Sequence, residues 1–326
     1  MLTLSRPMRI YRHSGEIAAQ HKGGAIAIGN FDGLHLGHQK VINTAGIAAR
    51  AGNVPWGVLT FEPHPRMLFD KSAPPFRLTP FHIKVRQIEA LGVDFIVVLH
   101  FDQQLARMPA GEFVETVLIG GFGARHIVSG HEFVFGHKRL GTADYLAARG
   151  AEMGFGTESI SEVRDDSGEI ISSTRIRQYL FDARPADAGR LLGHPYEIEG
   201  RVAHGDERGR HIGFPTANIE LDSNMRPALG VYAIRAGIDS GADTVWHDGV
   251  ANLGYRPTFD GERPVLEAHL FDFDQDIYGK HLRVALIDFL RAERKFDGID
   301  ALKAQIKKDC QEARNRLAAG NWKTAS

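Results

Sequence analysis

The chain has 326 residues, of which 43% are hydrophobic and 24% are charged. This length is enough for two domains, and the composition is ordinary for a globular protein. The formal net charge of −1 argues against a broad nucleic-acid-binding surface. The single Cys310 excludes an intrachain disulfide and a thiolate metal cluster. No apolar run approaches the roughly 20 residues of a transmembrane helix, and the N-terminus lacks a signal-peptide pattern. We therefore predict a cytoplasmic protein that binds neither nucleic acid nor membrane.

Residues 25–61 predict a strand, a turn, a helix and a second strand. Ala25–Ile28 is an apolar run that breaks at Gly29, and a helical pattern begins near His38. The next apolar run is Val58–Phe61. In such a unit the turn brings backbone N–H groups and the positive end of a helix to the edge of the sheet. That edge is suited to an anion.

Two histidines, His35 and His38, lie three residues apart at the start of this helix. Gly37 between them allows a bulky ligand to approach closely. Two imidazoles at an anion site suit phosphoryl or nucleotidyl transfer. The chain has 16 histidines, so the pair alone is a weak signal. With its flanking residues, however, the segment resembles the nucleotide-binding signature of the HIGH-type nucleotidyltransferases. That resemblance implies that Gly29, Asn30, Phe31 and Gly37 bind the nucleotide and that both histidines contact ATP phosphates.

A proline-rich stretch, Glu62-Pro63-His64-Pro65, follows the second strand. It continues neither a helix nor a central strand. It falls just past the carboxyl end of a predicted parallel strand, where ligands bind in open α/β sheets. Phe61 and Pro63 therefore belong either to a ligand site or to an ordinary proline turn, and the residues alone favour neither.

Helices and strands continue to alternate through the first half of the chain. Thr79 is a suitable N-cap and Pro80 a suitable first residue for a helix over residues 79–91. Residues 95–99 and 126–130 predict buried strands, and the period of residues 110–120 predicts another helix. This alternation predicts a doubly wound, Rossmann-like parallel sheet.

Two later stretches carry polar groups suited to ligands. The glycine-punctuated loop at residues 130–141 contains Glu132 and two aromatic residues, which suits a stacked base or flavin, and Arg139, which suits a phosphate. Ser172–Thr174 predicts a capped helix start. Together with Arg177 it would form a second anion site, although a plain capped helix is slightly favoured by the residues alone.

The pattern changes near residue 185, which predicts a first domain over residues 1–185 and a second over 186–326. Short strands separated by Gly, Pro and Asp turns then predict a small antiparallel β-barrel. The predicted strands are Tyr196–His204, Gly230–Ala236, Val245–Ala251, Val265–Phe271 and Leu282–Leu290. A C-terminal helix is predicted at about residues 298–318.

A second candidate site lies in the barrel. Gly205 and Gly213 permit close approach of a phosphate chain. Thr216 and Asn218 share a face if the chain is extended there, and their oxygens suit Mg²⁺ on nucleotide phosphates. Glu267 lies on a partly apolar strand, where it is either a general base for a substrate hydroxyl or a solvated glutamate.

Over about residues 20–312 the chain resembles the bacterial bifunctional riboflavin kinase/FAD synthetase family. The matching stretches, in chain order, are Gly-Asn-Phe-Asp-Gly-Leu-His-Leu-Gly-His, Thr-Phe-Glu-Pro-His-Pro, Ser-Ser-Thr-Arg-Ile-Arg, Leu-Leu-Gly-His-Pro-Tyr, Gly-Phe-Pro-Thr-Ala-Asn, Asn252–Phe259 and Leu290–Phe296. The resemblance implies a barrel that phosphorylates riboflavin with ATP to FMN. It also implies an amino-terminal HIGH-type domain that adenylylates FMN with ATP, giving FAD and pyrophosphate, and it implies Mg²⁺ for both steps. It leaves the oligomeric state open.

The resemblance also assigns roles to individual residues. In the adenylyltransferase it implies that ATP is held by His35, His38, Ser173, Thr174 and Arg177, and that the flavin contacts Phe61, Pro63 and Glu132. In the kinase it implies that Thr216 and Asn218 bind Mg-ATP, that Glu267 is the base, and that Arg291 lies near the flavin.

One departure from the family pattern concerns the first domain. Glu132 stands where the family usually has Asp or Asn, and Val134 where a polar residue is common. An extra methylene moves a carboxylate by more than about 1 Å, and such a displacement can lower a rate by roughly 10²-fold. This departure predicts that the adenylyltransferase is the weaker of the two activities.

Three alternatives to the bifunctional enzyme remain at this point. The chain could be a riboflavin kinase with a weakened first domain. It could be a flavin-responsive binding module, although such a module would not need His35, His38, Thr216 and Asn218 together. A different HIGH-type enzyme, such as an aminoacyl-tRNA synthetase, would leave the barrel unexplained.

Overall fold

The computed structural model describes residues 7–70, 74–203, 213–221, 224–258 and 261–320. The chain divides into two compact units, Met1–Ala73 with Thr79–Ile171 and Pro74–Leu78 with Ser172–Ser326. The helix that begins at Ser173 therefore belongs to the second unit. The domain boundary placed at residue 185 from the sequence stays a prediction.

The first unit contains a six-stranded parallel sheet with the order β1-β4-β3-β2-β5-β6. Its central strands are apolar runs that are buried on both faces, as in other parallel sheets that are covered by helices. The strands are β1 Arg9–Tyr11, β2 Ala25–Ile28, β3 Trp56–Glu62, β4 Phe95–His100, β5 His126–Gly130 and β6 Gly156–Ile160.

Helices cover both faces of this sheet. One apolar cluster includes Ile42 and Ile88, from α1 and α3, and the other includes Leu118 and Leu146, from a π-helix and α6. The helices are α1 Leu36–Gly52, α2 Pro65–Phe69, α3 Phe81–Ala90, α4 Gln103–Arg107, α5 Ala110–Glu112, the π-helix Phe113–Gly121 and α6 Ala143–Met153. The predicted doubly wound parallel sheet is confirmed.

Three local predictions in this unit were wrong or incomplete. Pro80, not Thr79, is the N-cap of α3, because Thr79 is engaged by the turn after β2. The helix predicted at residues 110–120 is mostly a π-helix, since an apolar period over nine residues does not separate the two helix types. The edge strand β6 was missed because only Ile160 in it is buried.

The second unit contains a closed antiparallel barrel with the order β10-β11-β8-β7-β12-β9. Its helices are α7 Ser173–Phe181, α8 Pro185–Leu192 and α9 Ile299–Ala318. Its strands are β7 Tyr196–Ala203, β8 Ala217–Glu220, β9 Gly230–Ile238, β10 His247–Thr258, β11 Gly261–Leu270 and β12 His281–Arg291. The predicted barrel and C-terminal helix are confirmed. In the described part of the chain, no helix is both long and apolar enough to cross a membrane.

Several strand limits in the barrel differ from the prediction, and β11, for example, begins at Gly261 rather than Val265. β10 begins at His247 rather than Val245 and continues to Thr258, through a Gly- and Pro-containing stretch without clear alternation. Strand β8 was anticipated only as an extended segment around Asn218. The predicted strand end at His204 lies outside the described residues.

Helix α9 is attached to the barrel by apolar packing and by ion pairs, of which that between Arg291 and Asp309 is the most buried. Ala313 and Leu317 lie in a buried cluster with residues of β9, β10 and β12. Arg291, at the end of β12, donates to both carboxylate oxygens of Asp309, with a shortest distance of 2.7 Å between Nη2 and Oδ2. The Asp309 side chain is 8% exposed, so this pair is largely shielded from water.

We expect Asp309→Ala to destabilise the second unit. The substitution leaves the Arg291 guanidinium partly buried without its partner, and breaking such a pair costs about 2–4 kcal/mol. The measurement is chemical denaturation followed by circular dichroism.

A matched control for this prediction is present on the same helix. Arg314 pairs with Asp272 on the surface, where screening by water leaves little net stabilisation. Asp272 has a φ of 54°, which Asn also tolerates, so Asp272→Asn should leave the denaturation midpoint unchanged. Equal effects of the two substitutions would contradict the role that we give to the Arg291–Asp309 pair.

Candidate active sites

The turn between β2 and α1 is held in an uncommon backbone conformation. Phe31 and Leu34 have φ angles of 49° and 41°, and Gly33 has 95°. The Gly33 N–H donates to Thr79 Oγ1 at 2.8 Å, and the Thr79 N–H donates to the buried Asp32 carboxylate at 3.0 Å. Thr79 lies just before α3, so these bonds tie the turn after β2 to the start of that helix.

The two predicted histidines stack at the N-terminus of α1. His35 is the N-cap, and its Nδ1 accepts a hydrogen bond from the His38 N–H at 3.2 Å. The ring centroids are 3.6 Å apart with an interplanar angle of 19°. A Cβ on Gly37 would lie 3.1 Å from the His35 ring, so glycine keeps this position clear. Both imidazoles therefore lie at the positive end of a 17-residue helix, where an anion is stabilised.

A buried lysine that the sequence analysis missed joins this turn to the next strand. Lys84, on α3, is 1% exposed. Its Nζ donates to the Asn30 carbonyl oxygen at 2.9 Å and to Glu62 Oε1 at 3.2 Å. Asn30 follows β2 and Glu62 ends β3, so one ammonium group bridges the carboxyl ends of two adjacent strands. The sequence carried one signal for Lys84, namely a charged residue on the buried side of an amphipathic helix.

A cavity of about 770 Å³ opens at the same edge of the sheet. Asn30 and Phe61 line it, as does Val134, so two of the predicted site residues meet there. Six phenylalanines give it a largely aromatic wall suited to a planar ring system: Phe61, Phe69, Phe101, Phe113, Phe133 and Phe135.

Two other residues predicted for the flavin lie elsewhere. Neither Pro63 nor Glu132 is among the residues that line the cavity. The Glu132 side chain is exposed, and its carboxylate lies within 4.8 Å of ligand atoms of His131 and Glu162.

The second predicted anion site is the start of α7, in the second unit. Ser172 is the N-cap, and its hydroxyl accepts from the Arg175 N–H at 3.3 Å. Ser173 and Thr174 occupy the first turn. The Arg177 Nε donates to the Phe76 carbonyl oxygen at 2.8 Å, which ties the helix to the segment Pro74–Leu78 of the same unit.

In the barrel, three polar residues share one row across adjacent strands. Glu267 on β11 pairs in register with Asn218 on β8 and with Asn252 on β10. Directly opposed residues of antiparallel strands point to the same face, with Cβ atoms about 5 Å apart. Asn252 shares this face with Val250, which packs in the cluster around α9. The row therefore lies on the outer face of the barrel, on the side of α9.

Asn252 in this row contacts Glu293, and the sequence predicted no role for either residue. The Asn252 side-chain amide donates to Glu293 Oε1 at 3.1 Å. A Cβ on Gly254 would lie 2.2 Å from that same oxygen, so glycine makes room for the carboxylate. Both residues lie in stretches that carried the family resemblance, but pairing across strands is not visible in a linear sequence.

The segment that leads into β8 is anchored on β11. His269 Nδ1 lies 2.8 Å from the Pro215 carbonyl oxygen, and the Phe214 ring packs edge-on against the His269 ring. This contact fixes the chain next to Thr216. Gly213 has a φ of 90°, a conformation that favours glycine, whereas Gly205 lies outside the described residues.

Arg291 and Cys310 are both neighbours of Asp309 in α9. The Arg291 guanidinium is bound by Asp309, and it also lies over the Phe296 ring at 5.7 Å. Burial, with the neighbouring Asp309 carboxylate, raises the pKa of the Cys310 thiol to about 11. That thiol stays protonated near neutral pH, so it offers no thiolate nucleophile or metal ligand.

Comparison with protein families assigns each unit a function. A family model described as FAD synthetase matches residues 17–175, and one described as riboflavin kinase matches residues 192–317. The two matches correspond to the Rossmann-like sheet and to the barrel with α9.

Individual relatives agree with this division. The bifunctional riboflavin kinase/FMN adenylyltransferase of Escherichia coli K12 is 41% identical over 91% of this chain and 93% of its own. That of Bacillus subtilis is 39% identical over 91% and 93%. A crystal structure from Streptococcus pneumoniae, titled as a macrolide-efflux protein, is 34% identical with a TM-score of 0.83, and the match covers 95% of this chain and 99% of that one. The chain belongs to the bifunctional riboflavin kinase/FMN adenylyltransferase family, whose enzymes convert riboflavin to FMN and FMN to FAD with ATP.

Proposed function

We propose that the aromatic cavity of the first unit binds FMN and that the turn after β2 binds ATP. A phosphate oxygen of FMN attacks the α-phosphorus of ATP. The bond from that phosphorus to the bridging oxygen breaks, and pyrophosphate leaves. The single observation that carries this proposal is that Asn30, in the turn that leads to the stacked histidines, also lines the cavity.

In this proposal the ATP-binding residues neutralise charge rather than react covalently. His35 and His38 stabilise the charge that develops at the α-phosphate, aided by N–H groups at the start of α1. Gly29, Phe31 and Gly37 keep the backbone accessible to the nucleotide. For Ser173, Thr174 and Arg177 the proposed role is to bind ATP phosphates.

The departure at Glu132 has a smaller expected consequence than the sequence suggested. Its side chain is exposed and does not line the cavity, so an extra methylene there leaves the aromatic wall unchanged. Full-length relatives with both activities also favour the bifunctional enzyme over a kinase with an impaired first domain.

For Pro63 the proposed role is to shape the end of β3 beside Phe61.

For the second unit we propose that Glu267 is the general base of the kinase. Its carboxylate takes the proton of the riboflavin hydroxyl, whose oxygen then bonds to the γ-phosphorus of ATP while ADP leaves. The strand register places Glu267 directly opposite Asn218. This supports the role, because the proposed base and the residue proposed to bind Mg-ATP then share one face of the barrel. Arg291 keeps its proposed position beside the flavin, with its guanidinium held by Asp309.

The ATP-dependent reactions of this family call for a divalent metal, and we propose Mg²⁺. Thr216 offers a hydroxyl oxygen and the buried Asn218 an amide oxygen, both of the hard type that Mg²⁺ prefers, next to the Glu267 carboxylate. Bound there with ATP, the ion would neutralise charge on the phosphates. Gly205 and Gly213 would let the phosphate chain approach the backbone.

The absence of disulfide-forming cysteine pairs supports a cytoplasmic location.

Separate substitutions should separate the two activities. We expect Asn218→Ala to abolish FMN formation from riboflavin and to leave FAD formation from FMN largely intact. His38→Ala should do the reverse. The measurement is the initial rate of each half-reaction by liquid chromatography. If either substitution reduced both rates equally, the assignment of one site to each unit would be wrong.

Glu267→Gln should lower the kcat of the kinase by at least about 10²-fold, because general-base catalysis contributes about that much. The amide is nearly isosteric, so the KM for ATP should change little. Steady-state kinetics with riboflavin and ATP varied in turn tests this. A kcat within twofold of the unmodified enzyme would remove Glu267 from the role of base.

Lys84→Met should impair FAD synthesis and leave the kinase active. Loss of the ammonium group removes the ion pair with the partly buried Glu62 and one hydrogen bond to the Asn30 carbonyl, which still accepts from Thr60 Oγ1 at 3.2 Å. We expect a cost of about 3–5 kcal/mol in the stability of the first unit. The measurements are thermal unfolding and the KM for FMN.

The double variant Lys84→Met/Glu62→Gln is the control for this prediction. Removal of the Glu62 charge should restore part of the stability, while the KM for FMN stays raised because the hydrogen bond from Lys84 to the Asn30 carbonyl is still missing. Full recovery of both quantities would mean that Lys84 serves only to neutralise Glu62.

A further inference from the structure

The rim of the aromatic cavity carries only one sign of charge. Four of the lining residues are Lys or Arg, and none is Asp or Glu: Arg66, Arg107, Lys138 and Arg139. A cleft with apolar walls and cations of one sign concentrates the positive potential and attracts anions. An aromatic wall alone would bind a flavin ring irrespective of what is attached to it.

Two of these cations, Lys138 and Arg139, are consecutive residues in a left-handed backbone conformation. Their φ angles are 56° and 59°, and Gly136 just before them has 72°. Residues with a side chain rarely adopt this conformation, because the Cβ atom crowds the neighbouring carbonyl oxygen. Strain of this kind tends to be kept at sites where a side chain must point in one direction.

The surrounding chain enforces this conformation. The His137 N–H donates to the Met108 carbonyl oxygen at 2.7 Å, and the Arg139 N–H donates to the Gly136 carbonyl oxygen at 3.0 Å. A Cβ on Gly136 would lie 2.7 Å from the Ala110 backbone, so the loop packs directly against that segment. The position of the two cations is therefore a fixed feature of the cavity mouth.

Within the described part of the chain, neither the Lys138 nor the Arg139 side chain takes part in a hydrogen bond or an ion pair. The nearby Arg107, by contrast, donates to Gln103 Oε1 at 3.1 Å. Two cations held at the mouth of a cavity without a counter-charge are available to an anionic ligand.

We propose that Lys138 and Arg139 make the adenylyltransferase cavity select FMN over riboflavin, by binding the FMN phosphate. This inference rests on the proposed assignment of the cavity to FMN. The two flavins share the ring and differ in a phosphate that carries about −1.5 to −2 charges at pH 7. A contact with the phosphate must therefore separate them, and Arg binds phosphate with paired N–H donors. The cations also reduce the repulsion between FMN and the polyanionic ATP.

The test compares a charged with an uncharged flavin at this site. The charged ligand is FMN, varied in initial-rate assays of FAD synthesis. The uncharged ligand is 5′-deoxyriboflavin, used as a competitive inhibitor, since it lacks the hydroxyl that the kinase phosphorylates. In Lys138→Gln/Arg139→Gln we expect the KM for FMN to rise at least about tenfold, as for the loss of a charge-assisted contact. The inhibition constant of 5′-deoxyriboflavin should stay within twofold, and the salt dependence of the KM for FMN should decrease.

Glutamine is unbranched and keeps the backbone strain of both positions. It is shorter than lysine and arginine, so the substitution removes the two cationic head groups while the backbone of the loop stays as it is. The matched control is Lys22→Gln, which removes an exposed cation of the same unit outside the cavity and should change neither constant. Equal weakening of FMN and 5′-deoxyriboflavin would overturn the proposal, because the loop would then shape the aromatic wall. A rise in the KM for ATP alone would also overturn it, since the cations would then serve the nucleotide.

A second variant separates this proposal from the assignment of the cavity. Phe133→Ala removes part of the aromatic wall and should weaken both flavins together. If Phe133→Ala affects neither flavin, the cavity is not the flavin site and the proposed function fails. If it weakens both while Lys138→Gln/Arg139→Gln changes neither, the cavity assignment stands and the selectivity proposal alone is wrong.

Discussion

The buried ion pair between Lys84 and Glu62 is the interaction on which the active edge of the first unit depends. An ammonium group in an apolar core is tolerated only where its partners are fixed, and Lys84 has two, Glu62 and the Asn30 carbonyl. These partners end neighbouring strands of the sheet. The pair therefore links the turn that leads to the stacked histidines with the end of the strand that carries Phe61. It adds a side-chain contact to the backbone pairing of β2 with β3 and to the hydrogen bond from Thr60 to the Asn30 carbonyl.

The barrel reaches a similar precision by register rather than by a buried charge. In a closed antiparallel barrel each strand is paired on both sides, and a shift by one residue would turn its side chains to the other face. Asn218, Glu267 and Asn252 are aligned by this pairing alone. Helix α9, held by Arg291 and Asp309, covers part of the same face. The two units thus place their candidate site residues by different physical means, a partly buried ion pair in one and strand register in the other.

The fold could be predicted well because the hydrophobic residues of both units follow clear patterns. Continuous apolar runs mark the buried parallel strands, and short alternating runs mark the barrel. From the spacing of three the sequence predicted that His35 and His38 lie together at the start of a helix, and the structure stacks their rings there. The sequence failed where a residue acts over a long separation in the chain. Thr79 resembles a helix cap but binds the turn after β2, and the contact of Asn252 with Glu293 depends on tertiary structure. Lys84 was missed because local patterns place lysine on a surface.

The most direct test of the whole account is a time course of the purified protein with riboflavin, ATP and Mg²⁺, followed by liquid chromatography. Two consecutive reactions in one chain predict that FMN appears first and is then converted to FAD, with pyrophosphate released in proportion to FAD. FMN without FAD would contradict the assignment of the first unit, and the absence of both products would contradict the account of both sites.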